Sequence, residues 1–331
     1  MNTMKRLHWF LPPLLLAAAL SAQTIIFDDT WADGGADNGS DISDTSWYKS
    51  TSNGALEVST GSLGIVSGTS GRGIHTTFNP VDLAVGDKLE FTFSFNTPDT
   101  VGTDRTNAFR FGFFNSETSN VATDFTTSSD PSWDPISGYI VTYDVNTGEE
   151  FISVRKRLAS DGTRDRFLST TTHFELINKS VDTAFSFFDN TLYTATVSIE
   201  RTGSTELTIS SSISIGSTLL AQYSIADPTA TKTSFDFLGI HVNSSTFGFS
   251  SDPDTADNGI DLTQATLTLT EGTGGETWRG YPVTDGFVDT GNWIGWLSVQ
   301  SDPWIYAYSI NGWFYLAPGN IDHGAWVYLK K

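Results

Sequence analysis

Cysteine is absent from all 331 residues, so no disulfide framework and no thiolate site enters the reading. A chain of this length must then rely on a buried apolar core. Basic residues are scarce: 18 Lys+Arg stand against 38 Asp+Glu, a formal charge of −20. A surface so negative repels phosphate backbones, which argues against nucleic acid as a partner. Long apolar runs are missing beyond the N-terminus. There, residues 1–22 read as a signal peptide, with Lys5 and Arg6 ahead of the apolar stretch 11–20 and a small-residue cleavage site at Leu20-Ser21-Ala22. That stretch falls short of the roughly 20 apolar residues that span a bilayer. The expected product is secreted, extracellular or held at a cell surface, with no transmembrane span. A convincing amphipathic helical pattern of ten or more residues is missing too.

What is present is alternation. In residues 87–95, DKLEFTFSF, Leu89, Phe91, Phe93 and Phe95 alternate with Glu90, Thr92 and Ser94; in 108–114, AFRFGFF, Phe109, Phe111 and Phe113 alternate with Arg110 and Gly112. A period of two marks strands with one face in a core, and the two stretches are expected to pair with each other. Further strands are expected at 138–145 and 151–157, joined by the hairpin signal Asn146-Thr147-Gly148. Others follow at 192–201, 206–215, 219–225, 235–242 and 265–270, each bounded by turn residues. About twelve strands with hardly any helix predict an all-β fold, an antiparallel two-sheet jelly-roll β-sandwich over 23–270. The segment after Phe114, rich in Ser, Thr, Asp and Pro, is longer than most connections and reads either as functional or as a surface insertion.

Residues 271–277, EGTGGET, read as a linker. Beyond them, 278–331 hold six of the ten tryptophans and five of the ten tyrosines. The triplet Trp-x-Tyr recurs at Trp304-Ile305-Tyr306, Trp313-Phe314-Tyr315 and Trp326-Val327-Tyr328, with Asn311-Gly312 and His323-Gly324 as turns between. In a strand each triplet sets Trp and Tyr on one face, so a small β-hairpin module is expected. Its rings serve either to stack on the apolar C–H faces of sugars or to complete a core too small without them.

The order of pieces, with FDDTW near the start, then VGDKLEFTFSF, NAFRFGFFNS, GYIVTYDV, LYTATVSIERTG and a closing IDLTQATLTL, resembles the concanavalin A-like, lectin-type jelly rolls of secreted bacterial proteins. The tail is similar to C-terminal aromatic elements of some secreted bacterial proteins and, more distantly, to choline-binding repeats; its spacing of nine and then thirteen residues between triplets departs from the latter. The resemblance implies a non-catalytic protein that binds a polysaccharide or cell-surface glycan or attaches to a surface. The alternatives are a polysaccharide-degrading enzyme of the same fold, a lyase before a hydrolase, and a structural, envelope-docking protein. The Glu-x-Asp-x-x-Glu triplet of the fold's retaining glucanases is missing, and with it a carboxylate pair able to flank one glycosidic bond.

Two sets of site residues are expected for carbohydrate: the tail rings Trp304, Tyr306, Trp313, Tyr315, Trp326 and Tyr328, and a concave-face group of Arg110, Tyr143, Arg155 and His241. A third set concerns metal. The pattern ADNGxD occurs at 36–41 and again at 256–261. The first and last strands of a jelly roll commonly lie near each other. Asp37, Asp41, Asp257 and Asp261, with Asp28 or Asp29, then offer hard oxygen ligands for a structural Ca2+. The competing reading is plain turn chemistry, which also favours Asp, Asn and Gly. The oligomeric state is left open.

Overall fold

The computed structural model describes residues 23–37, 44–50, 56–65, 71–97, 101–102, 105–127, 129–158, 167–183, 185–244, 246–247, 259–272, 277–278, 281–284, 287–291, 294–301, 304–316 and 327–330. The signal-peptide stretch, Asp41, Asp257 and Trp326 lie outside them. No helix among the described residues is long and apolar enough to cross a membrane.

Two antiparallel sheets form a sandwich. The first runs β13 (Thr218–Asp227), β12 (Leu207–Ile215), β11 (Thr191–Arg201), β6 (Lys88–Thr97), β15 (Ile260–Thr270), β4 (Ser62–Ile65) and β3 (Leu56–Ser59), with β1 (Gln23–Asp29) paired to the latter half of β15. The second runs β10 (Phe174–Lys179), β9 (Ile152–Arg157), β8 (Ser137–Val145), β7 (Arg105–Asn115), β14 (Ser234–Val242), β5 (Arg72–Asp82) and β2 (Trp47–Lys49). First and last strands of the sandwich therefore do lie side by side.

The Phe-rich stretches, β6 and β7, are central strands, but they do not pair. β6 sits between β11 and β15 in one sheet and β7 between β8 and β14 in the other. Their phenylalanines meet across the gap instead: Phe93 and Phe111 are 5.1 Å apart edge to face, and Phe95 and Phe109 5.2 Å apart. An alternating strand must hide one face, and facing another sheet satisfies that need as fully as any in-plane neighbour. The core is correspondingly aromatic, with Leu89, Phe91, Phe93, Phe95, Phe109, Phe111, Phe113 and Tyr193 all buried.

The hairpin at Asn146-Thr147-Gly148 joins β8 to β9, with Asn146 at φ 50 and Gly148 at φ 86. Both values lie in the left-handed region that Asn and Gly tolerate best.

Beyond the sandwich, seven short strands form an antiparallel meander in strict chain order: β16 (Thr277–Trp278), β17 (Tyr281–Thr284), β18 (Phe287–Asp289), β19 (Trp296–Ser301), β20 (Trp304–Ala307), β21 (Gly312–Leu316) and β22 (Val327–Lys330). It has its own core of Val283, Val288, Leu297, Val299, Ile305, Ala307 and Phe314.

Candidate functional site

The outward face of the second sheet is organised in rows across the strands. One row runs Gly73, His241, Arg110, Thr142 and Ser153; the next runs His75, Gly239, Gly112, Ile140, Arg155 and Leu176. A third contains Phe237 and Phe114. The middle of this face is covered. Val121, Phe125, Trp133 and Ile136, from the long segment after β7, pack with Phe167 and Leu168 onto Phe114, Ile140, Phe174 and Phe237. Trp133 stacks on Phe167 at 4.3 Å with an interplanar angle of 11°. The segment thus carries a second core, and neither a free loop nor a bare insertion describes it.

Polar anchors fasten this cover. His75, fully buried, donates from Nε2 to Val121 O at 2.7 Å, and Arg110 donates from Nη1 to Leu168 O at 2.6 Å. Gly239 makes room: a Cβ there would stand 2.8 Å from both Leu168 Cδ1 and Phe167 Cζ. Burial holds the His75 imidazole down to about 4 and, helped by nearby Arg155, the Arg110 guanidinium down to about 10.

The four residues expected on a concave face are not brought together. Tyr143 points the other way, into the sandwich, stacked on Phe111 at 5.6 Å with its hydroxyl 2.8 Å from Ser211 Oγ. Strand parity decides this: Tyr143 shares the phase of Val141, and Thr142 and Asp144 have the opposite one. His241 and Arg110 are register neighbours, yet both are buried, and neither ring nitrogen of His241 has a hydrogen-bond partner. Burial and the adjacent Arg110 and Arg72 charges keep that ring neutral, well below its ordinary value. Arg155 alone of the four borders open space.

That space is a cleft of ≈ 750 Å³ at the end of the sheet, bordered by Asn107, Asp144, Ser153, Arg155 and Lys179. Its lip is made by a β-bulge between Arg105 and Phe109, where Asn107 takes φ 48. Asn107 acts as a hub: its N–H donates to Asp144 Oδ1 at 2.6 Å, its carbonyl accepts from Arg110 Nε at 2.6 Å, and its side-chain oxygen accepts from Thr142 Oγ1 at 2.8 Å. Asn107, Asp144 and Lys179 are absent from the residues that alternation and motif point to. The available signal was an Asn, tolerant of the left-handed region, directly ahead of an alternating strand.

The aromatic module has two unlike faces. In β20, Ile305 is fully buried while Trp304, beside it, is 42% exposed; in β21, Phe314 is 2% exposed and Trp313 41%. On the open face Trp304 stands opposite Tyr315 and Tyr306 opposite Trp313, each pair with ring centroids 5.2 Å apart. Tyr306 O–H donates to the Asn311 side chain in the turn, and the exposed Trp296 and Tyr308 extend the patch. Tyr328 takes the register position opposite Tyr315.

Of the carboxylates expected around a metal, those among the described residues are dispersed. Asp28 Oδ1 accepts from Thr266 Oγ1 at 2.7 Å and from Gln264 Nε2 at 3.1 Å. Asp29 is buried and accepts from the Trp31 N–H at 2.9 Å and from Trp47 Nε1 at 2.8 Å; burial raises its carboxyl against these bonds. Asp29 lies opposite Ala265, four residues along β15 from Asp261. At strand rise that is about 13 Å, beyond what ligands sharing one ion can bridge. Asp37 is exposed in the loop after β1. Among the described residues no group of three or more carboxylates and histidines is gathered to hold a metal ion.

No protein-family model matches the chain, and no curated protein does. Solved structures do. The carbohydrate recognition domain of Emp46p in metal-free form aligns with a TM-score of 0.44 at 10% identity, over 75% of this chain and 96% of that one. The exoplasmic/lumenal domain of VIP36 with Ca2+ and Man2 bound gives 0.43 at 13%, over 76% and 90%. A mutant of the alginate lyase Aly36B in complex with alginate tetrasaccharide gives 0.39 at 16%, over 76% and 98%.

Proposed function

We propose that this is a secreted, non-catalytic carbohydrate-binding or surface-attachment protein whose glycan contact is the open aromatic face of the C-terminal module. The observation that carries the reading is the split of aromatic residues between the two faces. Ile305, Phe314, Leu297 and Val288 already make the module's core, so Trp304 and Trp313 are not needed inside it. Two Trp–Tyr pairs left in water present apolar ring faces with polar edges, the chemistry that packs against the C–H face of a pyranose.

The test is a glycan array and polysaccharide pull-down with the full chain, in calcium and in chelator. Wild type is expected to retain at least one polysaccharide class, and the double variant Trp304→Ala/Trp313→Ala to lose about 10-fold or more in affinity, as hot-spot aromatics do. No retention by wild type, or equal retention by the variant, overturns the reading. Calcium belongs to it as a structural ion shared by the 36–41 and 256–261 segments; a melting temperature indifferent to chelator removes it.

A further inference from the structure

The cleft at the end of the second sheet carries an inference that does not rest on the aromatic face. We propose that it is a second binding site, for the oxyanion of a small hydroxylated ligand such as the carboxylate or sulfate end of an acidic saccharide, with Arg155 and Lys179 as its cationic pair.

Arg155 is under-used by the protein. Of its five N–H donors, one makes a side-chain bond among the described residues, a long 3.4 Å contact from Nη2 to Asn107 Oδ1, and Nε is buried with no partner there. Asp144 is a nearby charge that favours the guanidinium, and its Oδ1 accepts from the Asn107 N–H. An unpaired buried donor is unfavourable, and a partner arriving with a ligand removes that penalty. Lys179 borders the same cleft and is exposed. Its ammonium lies 3.9 Å over the Phe151 ring, and no carboxylate among the described residues forms an ion pair with it. In a chain of −20, these two cations balance Asp144 and Glu149 on the border of the cleft, so the cleft is locally neutral where the chain as a whole repels anions.

The geometry also limits the ligand. A planar guanidinium fork matches carboxylate or sulfate through two parallel bonds. Ser153 and Thr147 supply partners for hydroxyls, and Leu176 an apolar wall. Asp144 and Glu149 border the same space and select against a second anionic group. Because Trp133, Phe167 and Leu168 fill the middle of the sheet face, a polymer cannot lie across it, and the ligand is a small molecule or a chain end. A volume of ≈ 750 Å³ falls within the usual range for such sites.

Titration calorimetry on the full chain at low ionic strength, with D-glucuronate, glucose 6-sulfate and glucose, tests this. At least one of the two anions is expected to bind, with glucose weaker by about 10-fold or more; which anion is tighter assigns carboxylate or sulfate. Arg155→Met is expected to abolish the anion preference, and Lys179→Met to weaken binding. Arg155→Lys, which keeps the charge and loses the fork, should fall between, and it carries the test if Arg155→Met does not fold. Trp304→Ala/Trp313→Ala should leave these heats unchanged, so a failure of the aromatic-face reading is distinguishable from a failure here. No heat with either anion, or equal affinity for glucose, overturns the proposal, as does unchanged anion affinity in the Arg155 and Lys179 variants.

Discussion

The sandwich and the C-terminal module both hide one face of a sheet, but they spend their aromatic residues in opposite ways. In the sandwich most of the buried rings are phenylalanines, Phe93 set against Phe111 and Phe95 against Phe109. In the module aliphatic side chains and Phe314 go inside, and the tryptophans and tyrosines of β20 and β21 stay out. Charge divides the same way: from Trp278 onward there are three basic and four acidic residues, so nearly all of the negative charge belongs to the rest of the chain. Aromatic content by itself therefore says little about function. The phase of the ring along its strand decides whether it stabilises the fold or meets a partner.

The largest expected effect breaks the inside half of this contrast. Phe93→Ala deletes a fully buried ring from the centre of the sandwich and should cost about 3–5 kcal/mol, read as an earlier calorimetric or denaturant transition. Next comes acid. His75 is held at about 4 against an ordinary 6.5, so between those values the unfolded chain binds a proton that the folded chain refuses. Stability is then lost as pH falls from 6.5 towards 4, by on the order of 3 kcal/mol, and His75 adds no further loss below that. His241 acts in the same direction. Denaturant midpoints across that window, compared with His75→Gln, should show a flatter acid limb in the variant. A smaller effect is expected from Gly239→Ala, whose new methyl meets the flexible ends of Phe167 and Leu168. Overpacking there should cost about 1–3 kcal/mol and loosen the cover, raising hydrogen exchange at the Phe167–Leu168 amides while β6 stays protected.

Much of the fold is legible in the chain because a strand's faces follow from its alternation. Leu89 to Phe95 and Phe109 to Phe113 read correctly as half-buried strands, and Asn146-Thr147-Gly148 as their neighbours' hairpin. Alternation names the face and not the neighbour, which is why β6 and β7 look like partners and turn out to face each other. The cover is harder to see. Val121, Phe125, Trp133 and Ile136 recur at no fixed interval, and the cover they form with Phe167 and Leu168 rests on a glycine, Gly239, and a histidine, His75, from distant strands. Arg110 does lie on the outward face, as its place between phenylalanines implies, but the chain gives no sign that Leu168 would claim it. The cleft depends on a bulge at Asn107, a one-residue irregularity that periodicity averages away. The Trp-x-Tyr triplets, by contrast, carry their own parity, and Ile305 and Phe314 as middle residues already mark the inward side.

The smallest stability effect is the one that most sharpens the contrast. Trp304→Ala and Trp313→Ala remove large rings, yet each is about two-fifths exposed and packs mainly on one cross-strand tyrosine. Such pairs contribute roughly 0.2–1 kcal/mol, so the melting temperature should barely move. Phe314→Ala, the neighbour of Trp313 on the other face and 2% exposed, should lower it clearly. If the outward tryptophans prove as costly to remove as Phe314, they belong to the module's core in solution and the glycan reading loses its support. If they are nearly free to remove while polysaccharide retention collapses, the module spends its tryptophans on a partner and not on itself.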